Sequence, residues 1–148
     1  MPIAKPSRRR VYLFMTRQNG EAVQVLVFSH SDPSLWAGVQ TPGGTVELHE
    51  SPLQAALREA NEETGLTLFG TAGLLVEDDF ENDEEVLRRF FFHLPVLEAT
   101  SDAWTHRVYG EGADGGMEFD LRWVDLPEAP GLAPHFRAYI ELVRVSPS

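Results

Sequence analysis

"GGTVELHESPLQAALREANEETGL", residues 43–66, crowds Glu59, Glu62 and Glu63 into five positions near the end of one predicted helix. Ser51 can cap that helix, Pro52 suits its first turn, and Gln54 completes a Ser-x-x-Gln capping box. Gly65 is placed to stop it in a left-handed conformation, so the spacing predicts a helix from Pro52 to Thr64. The offsets i, i+3 and i+4 put the three glutamates on one face, with Leu53, Ala56, Leu57 and Ala60 on a neighbouring face for the core. Like charges at this spacing weaken a helix by roughly 0.2–0.5 kcal/mol per pair unless something positive sits among them. A hard divalent cation fits, because Mg²⁺ and Mn²⁺ take oxygen ligands and Mg²⁺ commonly bridges one or two carboxylates to phosphate oxygens. The alternative is a solvated acidic helix face.

Outward from this segment, the chain alternates strands and loops. "VYLFMTRQNGEAVQVLVFS" gives two apolar, β-branched and aromatic runs, Val11 to Thr16 and Ala22 to Ser29, around Asn19-Gly20, a pair that type I′ hairpins favour. "HSDPSLWAGVQTPGG" has loop composition and delivers Gly43 and Gly44 ahead of a short strand, "TVE". "TAGLLVE", "VLRRFFFHLPV" and "MEFDLRWVDL" read as further strands, and "HFRAYIELVRV" has helical apolar spacing at Phe136, Tyr139, Ile140 and Val143. The class is mixed α/β. With 148 residues, no repeat and no linker, residues 1–148 are expected to form a single domain.

Bulk composition narrows the chemistry. No run of roughly 18 apolar residues marks a membrane span, and "MPIAKPSRRR" lacks a signal-peptide pattern, so a cytoplasmic location without membrane association is expected. Without cysteine there is no thiolate metal site or cysteine nucleophile, leaving oxygen and nitrogen groups. Twelve basic against 23 acidic residues give a net charge of −11, which repels a nucleic acid polymer but allows a small phosphorylated ligand when cations intervene.

Gly44, five residues, Glu50, seven residues, and then "REANEETGL" from Arg58 to Leu66 together resemble the complete Nudix box. Only Ala60 departs, standing where that pattern has a bulkier aliphatic residue. The resemblance covers 23 residues directly and implies an α/β/α sandwich with a mixed sheet. It implies a metal-dependent hydrolase that attacks the pyrophosphate of a nucleoside diphosphate-linked substrate with water. On the matching positions, Glu59, Glu62 and Glu63 would bind Mg²⁺ or Mn²⁺ with the Gly44 carbonyl as a further ligand, while Arg58 and Glu50 would position the carboxylates. Glu59 is the first choice for the base, with Glu111 and Glu118 as candidates outside the box. A non-catalytic Nudix nucleotide-binding module is the alternative, although such modules commonly carry damaged boxes. Isopentenyl diphosphate isomerase chemistry, which uses the same fold, calls for a catalytic cysteine. Nudix relatives often form homodimers, and the aromatic strand around Phe91 is a candidate contribution to such an interface.

Other residues are open to two readings. His49 is an exposed loop residue or a phosphate contact. "EDDFENDEE", residues 77–85, is a solvated loop or a lid over the site. Of Arg88 and Arg89, one faces solvent and either is a candidate phosphate clamp. Trp36, Trp104 and Tyr109 sit in loop-like stretches where a ring stacks on a base or covers the sheet edge. "GEGADGG", residues 110–116, lacks P-loop and EF-hand patterns and reads as a loop. Glu81, Asn82 and Asp83, about sixteen residues past the box, match neither the Tyr nor the Pro of substrate-marked subfamilies, so the substrate is left open.

Overall fold

Strand β1 (Ser7–Asn19) turns back into β2 (Ala22–His30) through Gly20 and Glu21, with Asn19 opposite Ala22. Gly20 has φ +63° whereas Glu21 is not in the positive-φ region, so the turn has glycine at its first central position, as in type II′, and is not type I′. The protein is described from a computed structural model, over residues 4–110, 115–126 and 131–145. Its further elements are β3 (Gly43–Thr45), α1 (Pro52–Thr64), β4 (Gly73–Glu81), β5 (Val86–Pro95), β6 (Ala103–Arg107), β7 (Glu118–Asp125) and α2 (Pro134–Arg137).

The strands form one sheet in the order β4-β5-β1-β2-β7-β6, with β3 pairing β1 off that path. Strands β1 and β5 are parallel and the other pairs antiparallel, so the sheet is mixed. Near the hairpin β1 pairs directly with β2, from Thr16↔Val25 to Asn19↔Ala22. Farther along, residues 40–45 wedge between them. Gln40 pairs with Phe28 of β2, the Leu13 N–H donates to the Pro42 carbonyl at 2.9 Å, and Gly43 to Thr45 pair with Tyr12 to Arg10. The split in the sheet therefore places Gly43 and Gly44 at its opening.

Alternation along the strands builds a core on each face. Val11, Leu13, Met15, Phe90, Phe92 and Leu94 bury against α1 through Ala55, Ala56 and Ala60. Tyr12, Phe14 and Phe91 point the other way and meet Leu132, Ile140 and Val143 of the C-terminal segment. The result is an α/β/α sandwich. Among the described residues no helix is long and apolar enough to cross a membrane.

Helix α1 begins and ends where its sequence predicts. Ser51 and Gln54 form the reciprocal capping box, and Gly65 adopts φ +79° with its N–H on the Asn61 carbonyl. Its buried face differs from the expected one. Leu53 and Leu57 are exposed, while Ala56, Ala60 and Glu63 face the sheet. Only small side chains let the helix lie close enough for the Glu63 carboxylate to accept the Gly43 N–H at 2.8 Å. Ala60, fully buried, fits that close approach where a bulkier residue would hold the helix off.

Four other expectations are corrected. The short strand after the loop is residues 43–45, not "TVE", because pairing with β1 begins at Gly43. The acidic run 77–85 is not a loop throughout. Glu77 to Glu81 continue β4, where Asp78 and Asp79 stand opposite Arg89 and Arg88 of β5. Cross-strand charge pairing overrides the polar composition. Trp104 lies on β6 rather than in a loop. The C-terminal apolar spacing does not make one helix. Segment α2 ends at Arg137, Tyr139 takes φ +62°, and residues 140–145 form a separate 3₁₀ turn. Tyr139 donates its hydroxyl to Asp78 at 2.5 Å and sets its ring edge-on to Phe91, a tertiary contact that holds a backbone angle helices exclude.

Arg89 is buried among the rings of Tyr12, Phe80 and Phe91 and pairs both its Nε and Nη2 with Asp78, at 2.7 and 2.6 Å. That pairing, followed by the Tyr139 hydroxyl, holds the Asp78 carboxyl below its ordinary range. A depressed folded-state pKa adds stability above the unfolded value, which is lost as pH falls through the folded one. Denaturant unfolding at pH 7 and pH 3 should therefore show a larger acid loss for the native chain than for Asp78→Asn. Equal losses would contradict this pairing. For Gly43→Ala, a Cβ would sit far inside van der Waals contact of the Val11 carbonyl oxygen, a backbone atom that cannot swing aside. The expected cost is about 1–3 kcal/mol, against about 1 kcal/mol for removing the Ser51 cap with Ser51→Ala. Urea midpoints of the two variants measure the difference.

Candidate active site

The end of α1 is held by β6 and the turn after it. His106 Nε2–H and the Tyr109 N–H donate to the Glu62 carbonyl at 2.9 and 3.0 Å, and Trp104 Nε1–H donates to the Thr64 carbonyl at 3.1 Å. These bonds satisfy carbonyls that a helix C-terminus leaves without partners. They also fix where Glu59 and Glu62 emerge.

Arg58 gathers the box carboxylates. Its Nε and Nη2 hold the two Glu50 oxygens at 2.7 and 2.8 Å, and Nη2 also donates to the Thr45 carbonyl at 3.0 Å. Nη1 serves Glu59 at 2.8 Å and Glu62 at 3.2 Å. The positive group among the clustered carboxylates is thus an arginine of the same helix, and Glu50 and then Glu59 push its pKa upward against the opposing effect of burial. Hydrogen bonds from Arg58 hold the Glu50 carboxyl below its usual range despite partial burial, so Glu50 is ionised at neutral pH. The Glu47 N–H adds a bond of 3.0 Å to it.

Glu63 stands apart from the other two, 1% exposed and bonded to Gly43. Among the described residues no three acidic or imidazole groups yet converge on one point, because Glu59 and Glu62 lean on Arg58 and Glu63 leans on β3. The donor set nevertheless suits an oxygen-seeking cation. A Cβ at Gly44 would lie within 3 Å of all three atoms of the Glu59 carboxylate, and one at Gly110 would meet a Glu62 oxygen at 3.0 Å. Glycine at both positions keeps the carboxylates of Glu59 and Glu62 at the wall of a cleft.

That cleft has a volume of about 210 Å³ and is lined by Gly44, Arg58, Glu59 and Glu62 on one side. Arg8 and Arg10 of β1 line it as well, with Tyr109 from the turn after β6. Sequence reasoning missed both arginines. Their i, i+2 spacing in a strand was the available signal, but only the wedge at 40–45 reveals that this strand face meets the helix carboxylates.

The remaining candidates separate clearly. Tyr109 is half exposed beside Glu62 and lines the cleft, whereas Trp36 and Trp104 are not among its walls. Trp104 is tied beneath the helix end and Trp36 is exposed on the 31–39 loop. Arg88 pairs with Asp79 and Glu77 on the outer face, and Arg89 is committed to Asp78. His49 is exposed in the turn before α1, outside this cleft. Glu118 pairs with Arg107 at the start of β7 and is not among the cleft walls. Glu111 lies outside the described residues.

A family model, the NUDIX domain, matches residues 6–144. Solved structures share the fold. The MutT protein of Methanosarcina mazei Go1 superposes with TM-score 0.63 at 22% identity, covering 97% of this chain and 95% of that one. A C. elegans Ap4A hydrolase in a binary complex gives TM-score 0.61 at 19% identity, covering 93% of both chains. The NUDIX domain of Shewanella oneidensis NrtR, complexed with ADP ribose, gives 0.66 at 16% identity, covering 96% of this chain and 89% of that one. With the box intact from Gly44 to Leu66 and the model match spanning nearly its whole length, the chain belongs to the Nudix family of pyrophosphohydrolases.

Proposed function

We propose that the cleft hydrolyses a pyrophosphate bond in a small nucleoside diphosphate-linked substrate with Mg²⁺ or Mn²⁺, and that residues 1–148 act as one hydrolase domain. The observation that carries this reading is the glycine-backed pair of carboxylates, Glu59 against Gly44 and Glu62 against Gly110, at the wall of one cleft. A solvated acidic face would need neither glycine. Glu59, Glu62, Glu63 and the Gly44 carbonyl would hold the cation. When bound, it supplies neutralisation of phosphate charge, polarisation of the phosphorus and a lowered pKa for the attacking water.

The chain's own residues do the rest. Arg58 is anchored through Nε and Nη2 to Glu50, so its Nη1 can release Glu59 and Glu62 without the guanidinium leaving its place. Glu50 thereby acts as a positioning residue for the carboxylates rather than touching substrate. Glu59, held 2.8 Å from Arg58 Nη1 at the cleft wall, is the group that accepts the proton of the attacking water. Tyr109, half exposed and lining the cleft, is the aromatic residue placed for a base to stack on.

Nucleoside triphosphates, dinucleoside polyphosphates, nucleotide sugars and ADP-ribose, assayed with Mg²⁺ or Mn²⁺, should include at least one that releases phosphate or a nucleoside monophosphate. Glu59→Gln should lower kcat on that compound by about 10²-fold or more. If nothing is cleaved, or if Glu59→Gln retains the full rate, the assignment is wrong. Nucleotide binding without cleavage would instead favour the non-catalytic module. Glu50→Gln, which halves the anchor of Arg58, should cost about 10–100-fold in activity while binding of nucleotide without metal changes little. Gly44→Ala should displace the Glu59 carboxylate and weaken Mn²⁺ binding by about 10-fold or more, read by paramagnetic relaxation of water.

A further inference from the structure

The cleft is lined by three glutamates and three arginines, in a protein whose net charge is −11. Two of those arginines are already committed. Arg58 is bound to Glu50, Glu59 and Glu62. Arg8 pairs with Glu85 at 2.7 Å and donates to the Thr45 hydroxyl at 3.0 Å. Arg10 differs. Its Nε is buried without a hydrogen-bond partner, and among the described residues no carboxylate lies within ion-pair distance of its guanidinium. Its guanidinium carbon sits 5.5 Å from the Tyr12 ring centroid, which orients the side chain without using its donors.

Arg10 also occupies a particular place in the fold. It is the register partner of Thr45 in β3 and of Arg89 in β5, so it belongs to the sheet face opposite α1. It reaches the same cleft as Glu59 and Glu62 because β3 is only three residues long and pairs with β1 alone in the sheet. A phosphate chain entering this cleft has the carboxylates on one side, where cations must intervene. On its other side it meets the Arg10 guanidinium, a planar fork that no carboxylate holds at ion-pair distance among the described residues.

We propose that Arg10 binds a phosphate of the substrate other than the one attacked, and that this makes Arg10 a specificity-determining residue favouring substrates with a phosphate chain over those whose distal group is uncharged. The proposal rests on the cleft being the pyrophosphate site. A guanidinium fork takes two oxygens of one phosphate, so loss of the fork is distinguishable from loss of charge.

Imidodiphosphate, whose P–N–P bridge resists hydrolysis, tests this by calorimetric titration of the full chain in Mg²⁺. Arg10→Met should weaken its dissociation constant by about 10-fold or more. Arg10→Lys, retaining charge but not the fork, should fall between Arg10→Met and the native chain. Arg122→Met, on the exposed face of β7, should change nothing. On a cleaved triphosphate, Arg10→Met should raise KM far more than it lowers kcat, with a smaller effect on a nucleotide sugar. Binding of imidodiphosphate to Arg10→Met within threefold of native overturns the proposal. Should Arg10→Met fail to fold by thermal melt, the same threshold applies to Arg10→Gln. If no compound in the panel is cleaved, the hydrolase reading fails while the titration still decides whether Arg10 receives phosphate.

Discussion

The distance between α1 and the edge of the split sheet governs this structure. Strand β3 has glycine at 43 and 44 because the Val11 carbonyl and the Glu59 carboxylate occupy the spaces where side chains would go. The helix answers with Ala56 and Ala60 in the core and Glu63 reaching the Gly43 amide. A buried carboxylate is destabilising unless hydrogen-bonded, so this contact ties helix position to strand position with little room for slippage. Everything at the cleft follows from that closeness.

Electrostatics adds a second layer. Three glutamates at i, i+3 and i+4 oppose helix formation, and Arg58 offsets this from within the same helix. Because its Nε and Nη2 are taken by Glu50, Arg58 is held as a fixed cation rather than a mobile one. Arg58 therefore keeps a carboxylate partner in Glu50 independently of its bonds to Glu59 and Glu62. A surface cluster would be stabilised by solvent and would need no such anchor.

What the sequence revealed depended on range. The helix, its caps, the hairpin and the box were legible because each is set by residues within a few positions of one another, and capping boxes and i+4 spacings are local rules. The misread features were decided by partners distant in sequence. Leu53 and Leu57 looked like core, but the closeness of β3 admits only alanines. Residues 77–81 looked like a loop until Arg88 and Arg89 stood opposite them. Tyr139 broke a helical pattern because Asp78, 61 positions away, takes its hydroxyl. The glutamate wall of the cleft was thus readable and the arginine wall was not.

That asymmetry has a physical consequence for specificity. Glu59 and Glu62 lie on one helix, so helical pitch sets their spacing at the cleft. The opposite wall depends on strand register, on how far β3 extends and on which arginines already have carboxylate partners. Glu85, on the strand connection at residues 82–85, engages Arg8 and so leaves Arg10 as the donor facing the cleft. An acidic residue far from the box thus shapes the charge of this wall. Because local helical spacing sets the first wall and long-range strand pairing sets the second, a substitution outside the box can alter one wall without disturbing the other.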